Sequence, residues 1–198
     1  MEIQKTVASR LMCVPALGTF IEISSDYVSE GSAEYFGQIP PVRYWIRALG
    51  WPILLSACLA LLTLPCDCVS FAVKIDAKAF DVAFSIIPSL LGFGIGAYAL
   101  VFGLGGEILR RIQDAHVSLA KQKNQEASSV LHINSMFALP LLLMTVTLLI
   151  ATIQKIFPAL VIISTVTWFF TFISIALNYQ LVKSLYRLGR VIILEKLA

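Results

Sequence analysis

Four long runs without a charged side chain dominate the pattern of apolar and polar positions: residues 48–66, 82–106, 127–154 and 156–182. About 20 apolar residues, each rising 1.5 Å along a helix, cross the roughly 30 Å of hydrocarbon in a bilayer. Strands of a membrane barrel would show shorter segments of alternating polarity. The pattern therefore predicts an all-α integral membrane protein with four transmembrane helices, here called the first to fourth spans.

The lengths of the connections predict how the spans follow one another. Only Lys155 separates the third span from the fourth, and Pro158 comes shortly after it, which predicts a tight antiparallel hairpin. The connection at 107–126 mixes charges of both signs, which suits helical extensions of its two flanking spans into water. We predict a cytoplasmic N-terminal segment (1–42), a transmembrane domain (43–182) and an amphipathic cytoplasmic tail (183–198).

Composition agrees with a membrane protein. Of the 198 residues, 58% are hydrophobic and 14% are charged, whereas soluble domains carry about 25% charged residues. A chain of this length has no room for an added catalytic domain. The net charge of +3 does not point to direct binding of nucleic acid.

Lys and Arg are distributed unevenly between the two sides of the membrane. Of the 15, only Lys74, Lys78 and Lys155 fall in the first connection and the hairpin. The others lie in the N-terminal segment, at the charged start of the first span (Arg43 and Arg47), in the middle connection and in the tail. The positive-inside rule therefore predicts that both termini and the middle connection are cytoplasmic.

The second span carries small residues at heptad spacing: Ser89, Gly92, Gly96, Ala99, Gly103 and Gly106. Small side chains let transmembrane helices approach closely, so this face is predicted to pack against another helix. That helix belongs either to the same subunit or to other copies arranged around a symmetry axis. A ring of copies could also leave a lumen lined by this face.

The sequence contains no pattern typical of catalysis. It lacks a phosphate-binding loop, a zinc-protease helix motif and a nucleophile elbow. With two His residues and few carboxylates, we expect no enzymatic activity, no metal site and no cofactor. Uncharged central spans also weigh against a proton-coupled transporter.

Two charged groups on the cytoplasmic side are candidates for docking. Acidic residues recur every four positions at Glu22, Asp26, Glu30 and Glu34, which predicts a helix over about 24–36 with an acidic stripe. Cations that could meet this stripe are Arg110, Arg111, Lys121 and Lys123 of the middle connection, or the basic surface of a soluble partner. The basic tail is expected to bind acidic lipid or a groove on a partner.

The run PSLLGFGIGAYAL at 88–100 and the Arg43-Tyr44-Trp45 sequence before the first span carry a family resemblance. Together with the four-span layout, they resemble small bacterial inner-membrane proteins of anti-phage defence, such as the membrane subunits of Kiwa systems. The resemblance implies a homo-oligomer that senses phage attack at the envelope and holds a cytosolic DNA-binding effector subunit.

We therefore expect a non-enzymatic membrane sensor and scaffold, assembled through the second span and docked to a soluble partner. The alternative is a pore or channel lined by Ser89, Gly92 and Gly96.

Overall fold

The computed structural model describes residues 15–30, 32, 35, 38–63, 77–103 and 130–197. It contains five helices in this part of the chain: α1 (Pro15–Val28), α2 (Val42–Leu62), α3 (Ala79–Gly103), α4 (Val130–Ile156) and α5 (Val161–Leu197). Four of them, α2 to α5, are long and apolar enough to cross a membrane. The predicted all-α membrane fold with four spans is confirmed.

The first span extends beyond its uncharged run toward the N-terminal segment. Helix α2 starts at Val42, next to the predicted domain boundary at 43 and six residues before the uncharged run at 48, so Arg43 and Arg47 lie in its first two turns. Long cationic side chains near a helix end can extend toward the membrane surface, so the helix continues beyond its uncharged part. The uncharged run is therefore the apolar centre of the span, and Arg43 and Arg47 lie in its interfacial turns.

The predicted hairpin between the third and fourth spans is confirmed. Helix α4 ends at Ile156 and α5 begins at Val161. The N–H of Phe157 still donates to the carbonyl of Ile153 at 2.9 Å, and the N–H of Leu160 donates to that of Phe157 at 3.4 Å. Four residues therefore turn the chain back.

Helix α5 is longer than a membrane requires. Its 37 residues correspond to about 55 Å at 1.5 Å per residue, which exceeds the roughly 30 Å of hydrocarbon. The predicted tail is thus a continuation of the fourth span as one helix through Leu197. Lys183, Arg187 and Arg190 are exposed along it.

The chain divides into two compact units. The central unit comprises 50–99 and 140–187. In it, one apolar cluster joins α3 to α4 through Phe80, Ala83, Ile87, Met144 and Ala151. A second cluster joins α2, α3 and α5 through Ala60, Ala79 and Trp168.

The terminal unit comprises 1–49, 100–139 and 188–198. Helix α1 buries Tyr27 and Val28 here, and the ring of Tyr27 lies 6.4 Å from that of His132 at the start of α4. Burial raises the pKa of Tyr27 to about 12, because the charged phenolate would lose its solvation.

The helix predicted over 24–36 is wrong in its position. Helix α1 ends at Val28, and Glu30 follows in a left-handed backbone conformation with φ of 54°. A non-glycine residue in that region interrupts a right-handed helix. Glu30 therefore does not continue the helical face that carries Glu22 and Asp26.

Candidate functional site

The small residues of α3 form an exposed face. Ser89, Gly92, Gly96, Ala99 and Gly103 are all exposed, while Gly106 lies outside the described residues. The five exposed residues follow the predicted heptad spacing along one helix. We call them the small-residue face of α3.

No described part of the chain covers this face at its glycines. A Cβ atom placed on Gly92, Gly96 or Gly103 would meet no described atom within 4 Å. Gly94 differs, because a Cβ there would lie 2.6 Å from Leu141 Cδ2 of α4. Within the described residues, α3 therefore packs closely against α4 at Gly94, and no described residue packs against the glycines of the small-residue face.

The packed side of α3 lies opposite the small-residue face. Ala83, Ile87 and Gly94 are buried, and at 3.6 residues per turn they lie about half a turn around the helix from Gly92 and Gly96. Of the most apolar window of α3, 17% is buried within the chain, against 39% for α4 and for α5. Helix α3 thus uses one side for packing and leaves the other available.

Large side chains border the small-residue face on both sides. Phe93 is 50% exposed and Ile95 is 53% exposed. At 100° per residue they project to either side of Gly92 and Gly96. The result is a shallow apolar groove with a glycine floor, a shape that accepts a second helix at short range.

Ser85 extends this face by one turn and was not predicted. It lies four residues before Ser89 and is exposed. Its hydroxyl donates to the carbonyl of Val82 at 2.9 Å, so its polar group has a partner within the helix. The heptad spacing would have identified Ser85 if the repeat had been followed toward the start of the helix.

Only part of the predicted docking residues can be placed. Glu22 is exposed and Asp26 is half-buried one turn later in α1, while Glu30 is exposed in the turn after the helix. Burial, and after it the negative charge of Glu22, raise the pKa of Asp26. Glu34, Arg110, Arg111, Lys121 and Lys123 lie outside the described residues.

Among the described residues, no group of three or more His, Cys, Asp or Glu is placed to hold a metal ion. No protein-family model matches the chain, and no curated protein or solved structure matches it either.

Proposed function

We propose that the protein is a non-enzymatic membrane scaffold and sensor that assembles from several copies through the small-residue face of α3. The exposure of Gly92 and Gly96 between large apolar side chains is the observation that carries the proposal. In an assembly these glycines would allow close contact with a second copy, whereas no described residue of the same copy contacts them.

Lipid contact alone does not account for the glycines. Glycine in a helix interior costs about 1 kcal/mol of stability relative to alanine. A leucine at the same positions would contact lipid tails at least as well. Close approach of two backbones, with dispersion contacts along the groove, offsets that cost. A second copy presents the same face, so an α3–α3 contact around a two-fold or higher axis is self-complementary.

The same proposal places a soluble partner at the cytoplasmic side. Four crossings put both ends of the chain on one side, and the excess of Lys and Arg there favours the cytoplasm. The carboxylates of Glu22 and Asp26 suit a partner with a basic surface, as DNA-binding proteins have. With the resemblance to anti-phage membrane proteins, this favours a bacterial inner-membrane sensor that holds a cytosolic effector.

The variant Gly96→Leu tests the assembly. A leucine side chain would fill the groove and hold the backbones apart, so we expect the purified full-length protein to shift from an oligomer to a monomer. Light scattering coupled to size-exclusion chromatography in mild detergent measures the mass. An unchanged mass would refute the α3 contact.

Thr145→Leu is the matched control. Thr145 is exposed on α4, and its hydroxyl donates to the carbonyl of Leu141 at 3.0 Å within the same helix. The variant places the same leucine side chain on a surface that the proposal assigns to lipid. It should leave the oligomeric mass as it is in the unaltered chain.

A pore is the alternative, favoured by the exposed Ser85 and Ser89 on the same face. A ring of copies would then place these hydroxyls and the glycine backbones against water. Planar bilayers distinguish the two proposals: Gly92→Asp should alter the conductance of a pore. If the assembled protein carries no current, the pore is excluded and the scaffold proposal stands.

A further inference from the structure

The start of α2 carries two exposed cations on one side of the helix. Arg43 and Arg47 are one turn apart, and both side chains are exposed. In the described part of the chain, the partners of the Arg43 guanidinium are tyrosines and not carboxylates. Its positive charge is therefore available to an external anion.

Two tyrosines hold the Arg43 guanidinium near the first turn. An Nη2–H of Arg43 donates to the Tyr44 hydroxyl at 3.5 Å, and its Cζ lies 5.0 Å from the centre of the Tyr44 ring. Tyr35 also interacts with Arg43, and its ring lies 5.3 Å from that of Tyr44. Contact with aromatic rings limits the conformations of the arginine and lowers the entropy lost when it binds an anion.

The backbone before the helix is fixed as well. The indole N–H of Trp45 donates to the carbonyl of Pro40 at 3.2 Å, and the N–H of Tyr44 donates to that of Pro41 at 2.9 Å. These bonds set the direction in which α2 leaves the N-terminal segment. The two arginines are thereby placed at the end of a candidate span, where the headgroups of a membrane would lie.

Apolar side chains lie beside the cations. Val42 is 69% exposed and Ile46 is 66% exposed. At 100° per residue, this pair projects next to the pair formed by Arg43 and Arg47. One patch of surface thus offers contact for an acyl chain and, beside it, for a negative charge.

We propose that this patch, formed by Val42, Arg43, Tyr44, Ile46 and Arg47, is a binding site for an anionic phospholipid. The guanidinium groups bind the headgroup phosphate and Val42 and Ile46 contact the upper acyl chain. Arginine suits this role because its planar donors match phosphate oxygens in pairs. The site shares no residue with the small-residue face, so it stands whether or not α3 joins copies.

Native mass spectrometry of the full-length protein with equal amounts of phosphatidylglycerol and phosphatidylcholine tests the site. Each interfacial arginine is expected to favour the anionic lipid by about fivefold. The double variant Arg43→Gln with Arg47→Gln should therefore lose most of the preference of the unaltered chain. An equal preference in both proteins would overturn the proposal.

The control removes two cations elsewhere. Lys78, just before α3, and Lys155, at the end of α4, are both exposed, so Lys78→Gln with Lys155→Gln changes the net charge equally. This variant should keep the preference for phosphatidylglycerol. A loss as large as that of the arginine variant would show a general charge effect and overturn the site.

A second measurement does not depend on the arginine variants. In a chain whose Trp51 and Trp168 are replaced by Phe, Trp45 alone reports on the patch. Brominated phosphatidylglycerol should quench its fluorescence more strongly than brominated phosphatidylcholine, and excess inorganic phosphate should not reverse the difference. Equal quenching by the two lipids, or full reversal by phosphate, would overturn the assignment to a lipid.

Discussion

Thr147 makes a polar contact between α4 and α5. Its hydroxyl lies 2.8 Å from that of Ser174, 3.2 Å from the carbonyl of Phe170 and 2.7 Å from that of Leu143. Thr147 and Ser174 are 0% exposed. A hydroxyl without a partner is costly in an apolar interior, so this cluster ties α4 to α5 in one register.

Replacing Thr147 by Val keeps the shape of the side chain and removes the hydroxyl. We expect a loss of about 0.6 to 1.7 kcal/mol in the free energy of unfolding, from the average to the largest value measured for hydrogen bonds between membrane helices. Equilibrium unfolding of the protein in mixed detergent micelles measures it. Thr145→Val, at an exposed position of the same helix, should change stability less, and an equal loss in both variants would contradict the role of the cluster.

Asp26 makes the stability of the terminal unit dependent on pH. Its pKa is raised in the folded chain, first by burial and then by Glu22. The protonated carboxyl therefore makes its full contribution to stability below the ordinary pKa of 3.8. This contribution is lost as the pH rises through the raised pKa of the folded chain. We expect Asp26→Asn to flatten this dependence and to add a few tenths of a kcal/mol at neutral pH.

Thermal unfolding followed by circular dichroism between acidic and neutral pH measures the Asp26 effect. Glu22→Gln is the informative companion, because it removes the smaller cause and leaves burial in place. It should reduce the dependence on pH without abolishing it. A slope in Asp26→Asn as steep as in the unaltered chain would assign the effect to another group.

At the scale of the helix, one side of α3 packs against α4 and the other side is exposed. Ala83 and Ile87 belong to the apolar cluster shared with Met144 and Ala151 of α4, and Gly94 continues this side next to Leu141. A Cβ atom placed on Gly92 or Gly96 would meet no described atom within 4 Å. Along α3, a glycine packed against α4 thus lies between two glycines that no described residue contacts.

Leucine substitutions separate the two sides of α3. A leucine at Gly94 would collide with Leu141, and overpacking of this kind costs about 1 to 3 kcal/mol of stability. We expect Gly94→Leu to lower the unfolding free energy of the subunit, and Gly96→Leu to leave that energy nearly unchanged while it disrupts assembly. Unfolding in detergent at dilutions where the protein is monomeric measures the first effect, and a stable Gly94→Leu subunit would contradict the packing.

At the scale of the whole molecule, the four spans determine which segments share a side of the membrane. Helices α4 and α5 are joined by four residues, so the hairpin tip and the far end of α5 are separated by one crossing. The distribution of Lys and Arg predicts that the tip faces away from the cytoplasm. The docking proposal depends on this orientation.

Cysteine labelling on intact cells tests the orientation. In a chain whose four native cysteines are replaced by serine, Ala159→Cys at the tip should react with a membrane-impermeant maleimide. Arg190→Cys in the extension of α5 should react only after the cells are permeabilised. The reverse pattern would place Glu22 and Asp26 outside and remove the proposed cytosolic partner.

The sequence by itself determined the number and approximate position of the spans, the hairpin shortly after Lys155 and the repeat of small residues on α3. These features depend on local composition and length, because a bilayer admits helices that satisfy their own backbone hydrogen bonds and bury long apolar runs. The sequence misplaced the first acidic helix, since charge spacing does not show where Val28 ends a helix and Glu30 leaves it. Only the tertiary structure decided that Gly94 packs on Leu141 while Gly92 and Gly96 stay open. The physical reason is that identical glycines two residues apart differ only in the helix that lies against them.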